Sequence, residues 1–162
     1  AYPSEHLSDI ANISILPMNE AVTMQGLASA VLKNSADKFS IAGFSMGGYV
    51  ALEVLRQAPD RVTRIALLDT SSRVDSQEKI ESRNIAISDC EEGRFGCLLD
   101  RFVPKLLTPK NLEGPIGAKV RNMGERVGPK LFANRHRAML TRIDSRKVLK
   151  NTNIPKIQYR KA

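Results

Sequence analysis

The sequence has few of the residues on which several common kinds of site depend. Among 162 residues there are no tryptophans, two histidines and two cysteines, and aromatic residues make up 5%. Cys90 and Cys97 cannot build a disulfide framework, and their spacing matches no metal-binding motif. No run approaches the roughly 20 apolar residues of a membrane helix, and the first residues lack the pattern of a signal peptide. We therefore expect a cytoplasmic globular protein with no metal, no other cofactor and no membrane partner.

Charge is distributed unevenly along the chain. Residues 1–72 carry 5 basic and 7 acidic residues, whereas residues 73–162 carry 20 and 10, and the formal net charge is +8. Such asymmetry can mark a face that binds nucleic acid. The basic residues are interleaved with acidic ones over many helical turns, however, and aromatic residues for base stacking are few. The pattern favours a solvated helical surface without a nucleic-acid partner, and it leaves the oligomeric state open.

The first 72 residues alternate between strand and helix patterns. Short apolar runs predict strands at residues 13–16, 39–42 and 62–68. Apolar residues at helical spacing predict helices at residues 23–33 and 47–57. Strand–helix alternation with short connections is typical of a parallel sheet with right-handed crossovers. We therefore expect a three-stranded parallel sheet flanked by two helices within residues 12–70.

The pattern changes after Ser72. From Gln77 to Arg146 the apolar residues recur at helical spacing, interrupted by glycines and prolines, and no strand pattern of comparable quality is present. This predicts an all-helical unit over residues 73–150. Residues 151–162 then read as a linker and tail, in which residues 154–159 could begin a strand.

A serine flanked by glycines lies between the second predicted strand and the second predicted helix, in the segment Gly43-Phe44-Ser45-Met46-Gly47-Gly48. A tight turn from strand to helix strains the backbone and projects a serine hydroxyl towards a substrate. Gly43 and Gly47 would let the strand and the helix approach closely, so we expect neither to tolerate a side chain. Gly48 relaxes the same constraint one residue further on. The N–H of Met46, at the start of the helix, is the expected oxyanion donor.

Two other interpretations of this turn stay open. It could be a glycine-rich strand-to-helix connection that contains an incidental serine. It could also be a phosphate-binding turn, although neither the Walker pattern nor the dinucleotide fingerprint is present. The buried strand before Ser45 and the amphipathic helix after it favour a nucleophile.

The segment KFSIAGFSMGGYVALEVLRQAPDRV resembles the nucleophile region of the α/β-hydrolase superfamily. The continuation RIALLDTSSRVDS resembles the next core strand and the entry to a helical cap, as in small cap-bearing esterases and lactonases. The resemblance implies an α/β fold, with a partial α/β-hydrolase core over residues 1–72 and an all-helical cap over residues 73–150. It also implies that Ser45 is the nucleophile, that Met46 supplies an oxyanion N–H, and that the substrate is a small ester or lactone.

The sequence departs from the pattern of this family at both ends. The family has an upstream strand and a glycine-bearing loop that supplies a second oxyanion N–H, and no such loop precedes Ile13. The family also places an acid and a histidine after strands that follow the cap, and this sequence stops where the first of those strands would start. We therefore expect a chain shortened at both ends relative to the family, with a gap in its sheet.

Ser45, Asp69 and His136 follow the family order of nucleophile, acid and histidine. Asp69 ends the strand after the nucleophile helix, where some relatives place the acid. His136 lies in a cationic helical stretch, so we expect it at the solvated surface rather than beside Ser45. The sequence thus favours an incomplete form of a serine hydrolase that acts through an acyl-serine intermediate. The alternative is a non-catalytic remnant or binding module that keeps the turn without a working triad.

Overall fold

A three-stranded parallel sheet forms the centre of the protein. The computed structural model describes residues 6–19 and 21–159. The strands are β1 (Phe39–Phe44), β2 (Val62–Leu68) and β3 (Lys156–Tyr159), and they lie in the order β1-β2-β3. Both pairs are parallel. Parallel neighbours need a crossover between them, and a helix supplies the one that joins β1 to β2.

Two helices complete this part of the fold. Helix α1 (Met24–Lys33) begins after its N-cap Thr23, whose hydroxyl accepts a hydrogen bond from the Gly26 N–H at 3.1 Å. Helix α2 (Met46–Gln57) follows β1 after Ser45 alone, and a 3₁₀ turn (Pro59–Arg61) leads into β2. Apolar side chains from both helices and from the sheet form one buried cluster. Its members include Leu27, Ala28, Ala51, Leu52, Val54, Leu55, Ile65 and Leu67.

Residues 77–151 are helical, as the sequence predicts. The helices are α3 (Gln77–Glu91), α4 (Phe95–Phe102), α5 (Pro109–Leu112), α6 (Pro115–Leu140) and α7 (Arg146–Asn151), with a 3₁₀ turn at Val103–Leu106. Helix α6 is kinked at Gly128, whose φ is 73°, immediately before Pro129. A second apolar cluster joins α3, α4 and α6. In the part of the chain that the structure describes, no helix is both long enough and apolar enough to cross a membrane.

The strand predicted at residues 13–16 is wrong. Residues 11–19 form no strand, and the Ile15 side chain is 71% exposed. An extended segment becomes a strand only when its backbone groups pair with a neighbour, and none of the described strands lies against this one. The third strand is instead β3, which confirms the strand possibility at 154–159. The segment expected to be a linker and tail thus completes the sheet, and the basic residues after Tyr159 lie outside the described residues.

One face of the sheet carries exposed apolar side chains. Phe44, Leu68 and Tyr159 are aligned across the three strands, and so are Ala42, Ala66 and Ile157. Phe44 is 66% exposed, Tyr159 62% and Ile157 68%. Parallel sheets are normally covered on both faces. On the opposite face Gly43, Ile65 and Leu67 are buried, so within the described residues the helices cover β1 and β2 from that side, whereas all four residues of β3 are exposed.

Candidate active site

Ser45 lies at the turn between β1 and α2 with a strained backbone. Its φ is 49° and its ψ is −116°, and its side chain is exposed. Its N–H donates to the Leu68 carbonyl at 2.9 Å, which extends the β1–β2 pairing by one residue. Left-handed φ is costly for a residue with a Cβ and persists only where the surroundings enforce it. The backbone strain predicted for this turn is therefore confirmed at Ser45, and the residue is exposed to solvent.

The glycines around Ser45 differ in what surrounds them. A Cβ on Gly43 would lie 2.4 Å from the Gly47 carbonyl oxygen and 2.6 Å from the Gly48 Cα, so strand and helix do approach closely there. A Cβ on Gly48 would lie 2.5 Å from Thr70 Cγ2. A Cβ on Gly47 would have no atom within 4 Å. The expectation that Gly47 tolerates no side chain is wrong, because its backbone faces the strand while its Cβ position faces open space.

Met46 begins helix α2, so its N–H points out of the helix end. The first N–H groups of a helix have no partner within the helix, and no described residue accepts a hydrogen bond from the Met46 N–H. Aligned peptide dipoles add partial positive charge at this end. A developing oxyanion beside Ser45 would thus meet a free donor.

Asp69 lies beside Ser45 at the carboxyl edge of the sheet. Phe44 and Leu68 are register partners, so the residues that follow them, Ser45 and Asp69, end neighbouring strands. Asp69 is exposed, its φ is 45°, and its N–H donates to the Tyr159 carbonyl at 2.8 Å. Apart from glycines, Ser45 and Asp69 are the positive-φ residues of the described chain. Strained residues of this kind cluster at functional sites.

His136 is buried, and its predicted surface position is wrong. Its side chain is 9% exposed and stacks on the Phe132 ring with centroids 4.6 Å apart, because this face of α6 packs in the helical region. Burial and, to a lesser extent, the charge of Arg83 lower the pKa of His136 to about 4, although the charge of Asp75 opposes the shift. Its Nδ1 has no hydrogen-bond partner among the described residues. His136 is therefore a weak base, and no hydrogen bond in the described chain joins it to Ser45 or Asp69.

A buried ion-pair network near the sheet was missed by the sequence reasoning. Asp75 pairs with Arg83 Nε at 2.6 Å and with Arg142 Nη2 at 3.2 Å. Burial would raise the pKa of Asp75, but the hydrogen bond and charge of Arg83, with the charge of Arg142, lower it below its ordinary value. The Arg142 guanidinium also lies 3.6 Å from the centre of the Tyr49 ring on α2. The network thus joins the helical region to the helix that follows Ser45.

No metal site accompanies these residues. Within residues 6–19 and 21–159, no group of three or more His, Cys, Asp or Glu side chains is placed to hold a metal ion. Cys90 is buried and Cys97 is exposed, and both are free thiols.

An open groove at the α6 kink is lined by Asn19, Gly128, Lys130 and Asn134. Ser45 is not among the residues that line this groove.

Comparisons with known proteins find similarity in structure. No protein-family model and no curated protein matches the sequence. A thermophilic esterase from Thermogutta terrifontis, solved with malate bound, is 24% identical with a TM-score of 0.79. The enol-lactonase from Burkholderia xenovorans LB400 is 22% identical with a TM-score of 0.71, and a hydrolase from Oleispira antarctica is 16% identical with a TM-score of 0.60.

The matches cover most of this chain but less than two thirds of each solved chain. They cover 96%, 91% and 86% of this chain, but only 63%, 57% and 54% of the three solved chains. Structural similarity at this low sequence identity establishes the fold and leaves the chemistry to be argued from the site. The chain has the α/β-hydrolase fold over part of the length that the solved structures span.

Proposed function

We propose that this chain is part of a serine hydrolase that cleaves carboxylic esters or lactones through an acyl-Ser45 intermediate. The observation that carries the proposal is the strained, exposed Ser45 at the end of β1, with the start of α2 immediately behind it. A strand-to-helix turn of this geometry presents a nucleophile beside unpaired helix N–H groups. The esterase and the enol-lactonase among the similar structures support esters and lactones as the substrate class.

The described residues supply a nucleophile and one oxyanion donor. Ser45 Oγ would attack the carbonyl carbon of the substrate, and the Met46 N–H would donate to the oxygen that becomes negatively charged. The ester C–O bond would then break, the alcohol would leave with a proton supplied through solvent in exchange for the serine proton, and the acyl group would remain on Ser45. Water would then hydrolyse the acyl-serine, which releases the carboxylic acid and restores the Ser45 hydroxyl. Gly43 lets β1 and α2 approach closely, and Gly48 leaves room for the Thr70 side chain. The helical region over residues 73–150 would act as the cap that covers the small-molecule substrate.

Asp69 and His136 are the triad candidates within this chain, and they differ in their position relative to Ser45. Asp69 shares the carboxyl edge of the sheet with Ser45, so a histidine supported by Asp69 would be near the nucleophile. His136 is buried against Phe132, and its lowered pKa makes it a poor proton acceptor. We therefore assign the base to neither described histidine, His6 or His136.

The second candidate function is a binding module that keeps the turn without catalysis. Its specific support is that, among the described residues, no side chain able to accept the proton is hydrogen-bonded to Ser45 Oγ. A serine hydroxyl without a base is a weak nucleophile. Such a module would bind an ester or carboxylate at the Met46 N–H and release it unchanged.

Hydrolysis of an activated nitrophenyl ester, combined with fluorophosphonate labelling, tests the proposal. We expect slow turnover and slow labelling on the Ser45 peptide in mass spectra, both abolished by Ser45→Ala and unchanged by His136→Ala. Ser71→Ala is a matched control on the neighbouring loop. Turnover that survives Ser45→Ala would refute the acyl-Ser45 mechanism. Ligand binding without turnover or labelling would favour the binding module.

A further inference from the structure

Thr70 contacts the Ser45 turn from the neighbouring strand. It follows β2 by two residues, and its hydroxyl donates to the Ser45 carbonyl oxygen at 2.8 Å. The Gly48 N–H donates to the same oxygen at 3.0 Å. A carbonyl oxygen has two lone pairs. The two donors, one from α2 and one from the loop after β2, thus occupy both of them.

This carbonyl belongs to the peptide group that contains the Met46 N–H. A peptide group is planar, and in the trans form its carbonyl and its N–H point in opposite directions. The described chain contains no cis peptide bond. Fixing the Ser45 carbonyl from one side therefore fixes the direction of the Met46 N–H on the other side. Hydrogen bonding at the carbonyl also polarises the amide, which makes its N–H a stronger donor.

Two local features bring Thr70 to this position. Gly48 leaves room for the Thr70 side chain, since a Cβ on Gly48 would lie 2.5 Å from both Thr70 Oγ1 and Thr70 Cγ2. Asp69 has a left-handed φ of 45°, which turns the chain immediately after β2. The strain at Asp69 and the absence of a side chain at Gly48 thus have a common consequence, which is the contact between Thr70 and Ser45.

We propose that Thr70 is a positioning residue that orients the Ser45–Met46 peptide group and so directs the Met46 N–H at the oxyanion. This inference rests on the proposed function, because it assigns Thr70 a purpose in catalysis at Ser45. The Thr70 hydroxyl contacts the Ser45 carbonyl oxygen and not the Ser45 hydroxyl. Its contribution is to hold one donor in place before the substrate arrives, which is how preorganised oxyanion sites act.

Nuclear magnetic resonance of the unreacted chain tests the orientation directly. The readouts are the carbonyl carbon shift of Ser45 and the amide nitrogen shift and hydrogen exchange of Met46. We expect Thr70→Val to move both shifts and change the exchange rate, because it removes the hydroxyl and keeps the shape. Thr70→Ser should keep the wild-type values. Thr63→Val is the matched control, because Thr63 lies on β2 and its hydroxyl is hydrogen-bonded to Ser40 Oγ on β1 rather than to the Ser45 turn.

The outcomes separate this inference from the proposed function. Unchanged Ser45 and Met46 signals in folded Thr70→Val would overturn the positioning role, as would equal changes in Thr70→Ser. If Thr70→Val does not fold, Thr70→Ala removes the same hydrogen bond and gives the same readout. Fluorophosphonate labelling of Ser45 should slow in Thr70→Val and recover in Thr70→Ser. A third outcome combines altered Ser45 and Met46 signals in Thr70→Val with a wild-type chain that fluorophosphonate does not label. This outcome would refute Ser45 as the nucleophile, and with it the catalytic purpose of Thr70, but would support the hydrogen bond.

Discussion

Gly43→Ala should destabilise the protein more than any other single methyl group added at the Ser45 turn. The added Cβ would lie 2.4 Å from the Gly47 oxygen, 2.5 Å from the Gly47 carbonyl carbon and 2.6 Å from the Gly48 Cα. All three atoms belong to the backbone at the start of α2, so no side-chain rotation can relieve the clash. Overpacking typically costs about 1–3 kcal/mol. Because here a helix must shift away from its strand, we expect about 3 kcal/mol or more.

Gly47→Ala is the matched control, and we expect the opposite sign. The new Cβ would meet no atom within 4 Å, and Gly47 has a helical position in α2. Alanine in a helix is favoured over glycine by about 0.5–1 kcal/mol. The two variants add the same methyl group four residues apart, one in β1 and one in α2, so they differ in what that group meets and in the helix propensity gained at Gly47.

Urea unfolding followed by circular dichroism measures both changes. For an m-value of about 2 kcal/mol/M, a loss of about 3 kcal/mol lowers the midpoint by about 1.5 M. Gly47→Ala should raise the midpoint slightly. A Gly43→Ala midpoint within experimental error of wild type would refute the close approach of β1 and α2. A Gly47→Ala loss as large as that of Gly43→Ala would refute the open space beside Gly47.

The remaining predictions concern charge, pH and turnover. Asp75→Asn leaves the buried guanidinium groups of Arg83 and Arg142 without their anion, so we expect the free energy of unfolding in urea to fall by about 3–5 kcal/mol. Asp100→Asn is the control, because it breaks an exposed pair with Arg121 and should leave the free energy of unfolding near the wild-type value. His136 has a folded pKa of about 4 against 6.5 for the free side chain, so the fold has its full stability above pH 6.5 and should lose about 3 kcal/mol as the pH falls from 6.5 to 4. His136→Phe should remove that part of the pH dependence of stability. A curve of stability against pH identical to that of wild type would contradict a buried neutral imidazole at His136. His6→Gln changes an exposed histidine and is the control that should leave the curve unchanged. The rate of ester turnover by this chain should be lower than that of a complete serine hydrolase by a factor of about 10⁴–10⁶, which is the usual effect of removing triad members. Rapid turnover that both Ser45→Ala and His136→Ala abolish would instead establish His136 as the base.

The sequence by itself determined the elements whose cause is local. The apolar runs of β1 and β2 and the helical spacing of α1 and α2 are set by neighbouring residues, and the bounds of each were predicted within two residues. The backbone strain at Ser45 also follows from a short segment, because a tight turn through this one residue joins β1 to α2. The helical character of residues 77–151 was likewise visible in its periodicity.

Only the tertiary structure decided the features that depend on distant partners. Residues 13–16 have a strand pattern but no neighbour to pair with, whereas β3 forms because β2 lies beside it. His136 is buried because Phe132 and the packed face of α6 enclose it, which its cationic neighbours in sequence did not indicate. The different surroundings of Gly47 and Gly48 depend on Thr70, which lies more than twenty residues away along the chain. Local patterns specify backbone conformation, but burial, pairing and hydrogen-bond direction depend on which distant residues the fold brings together.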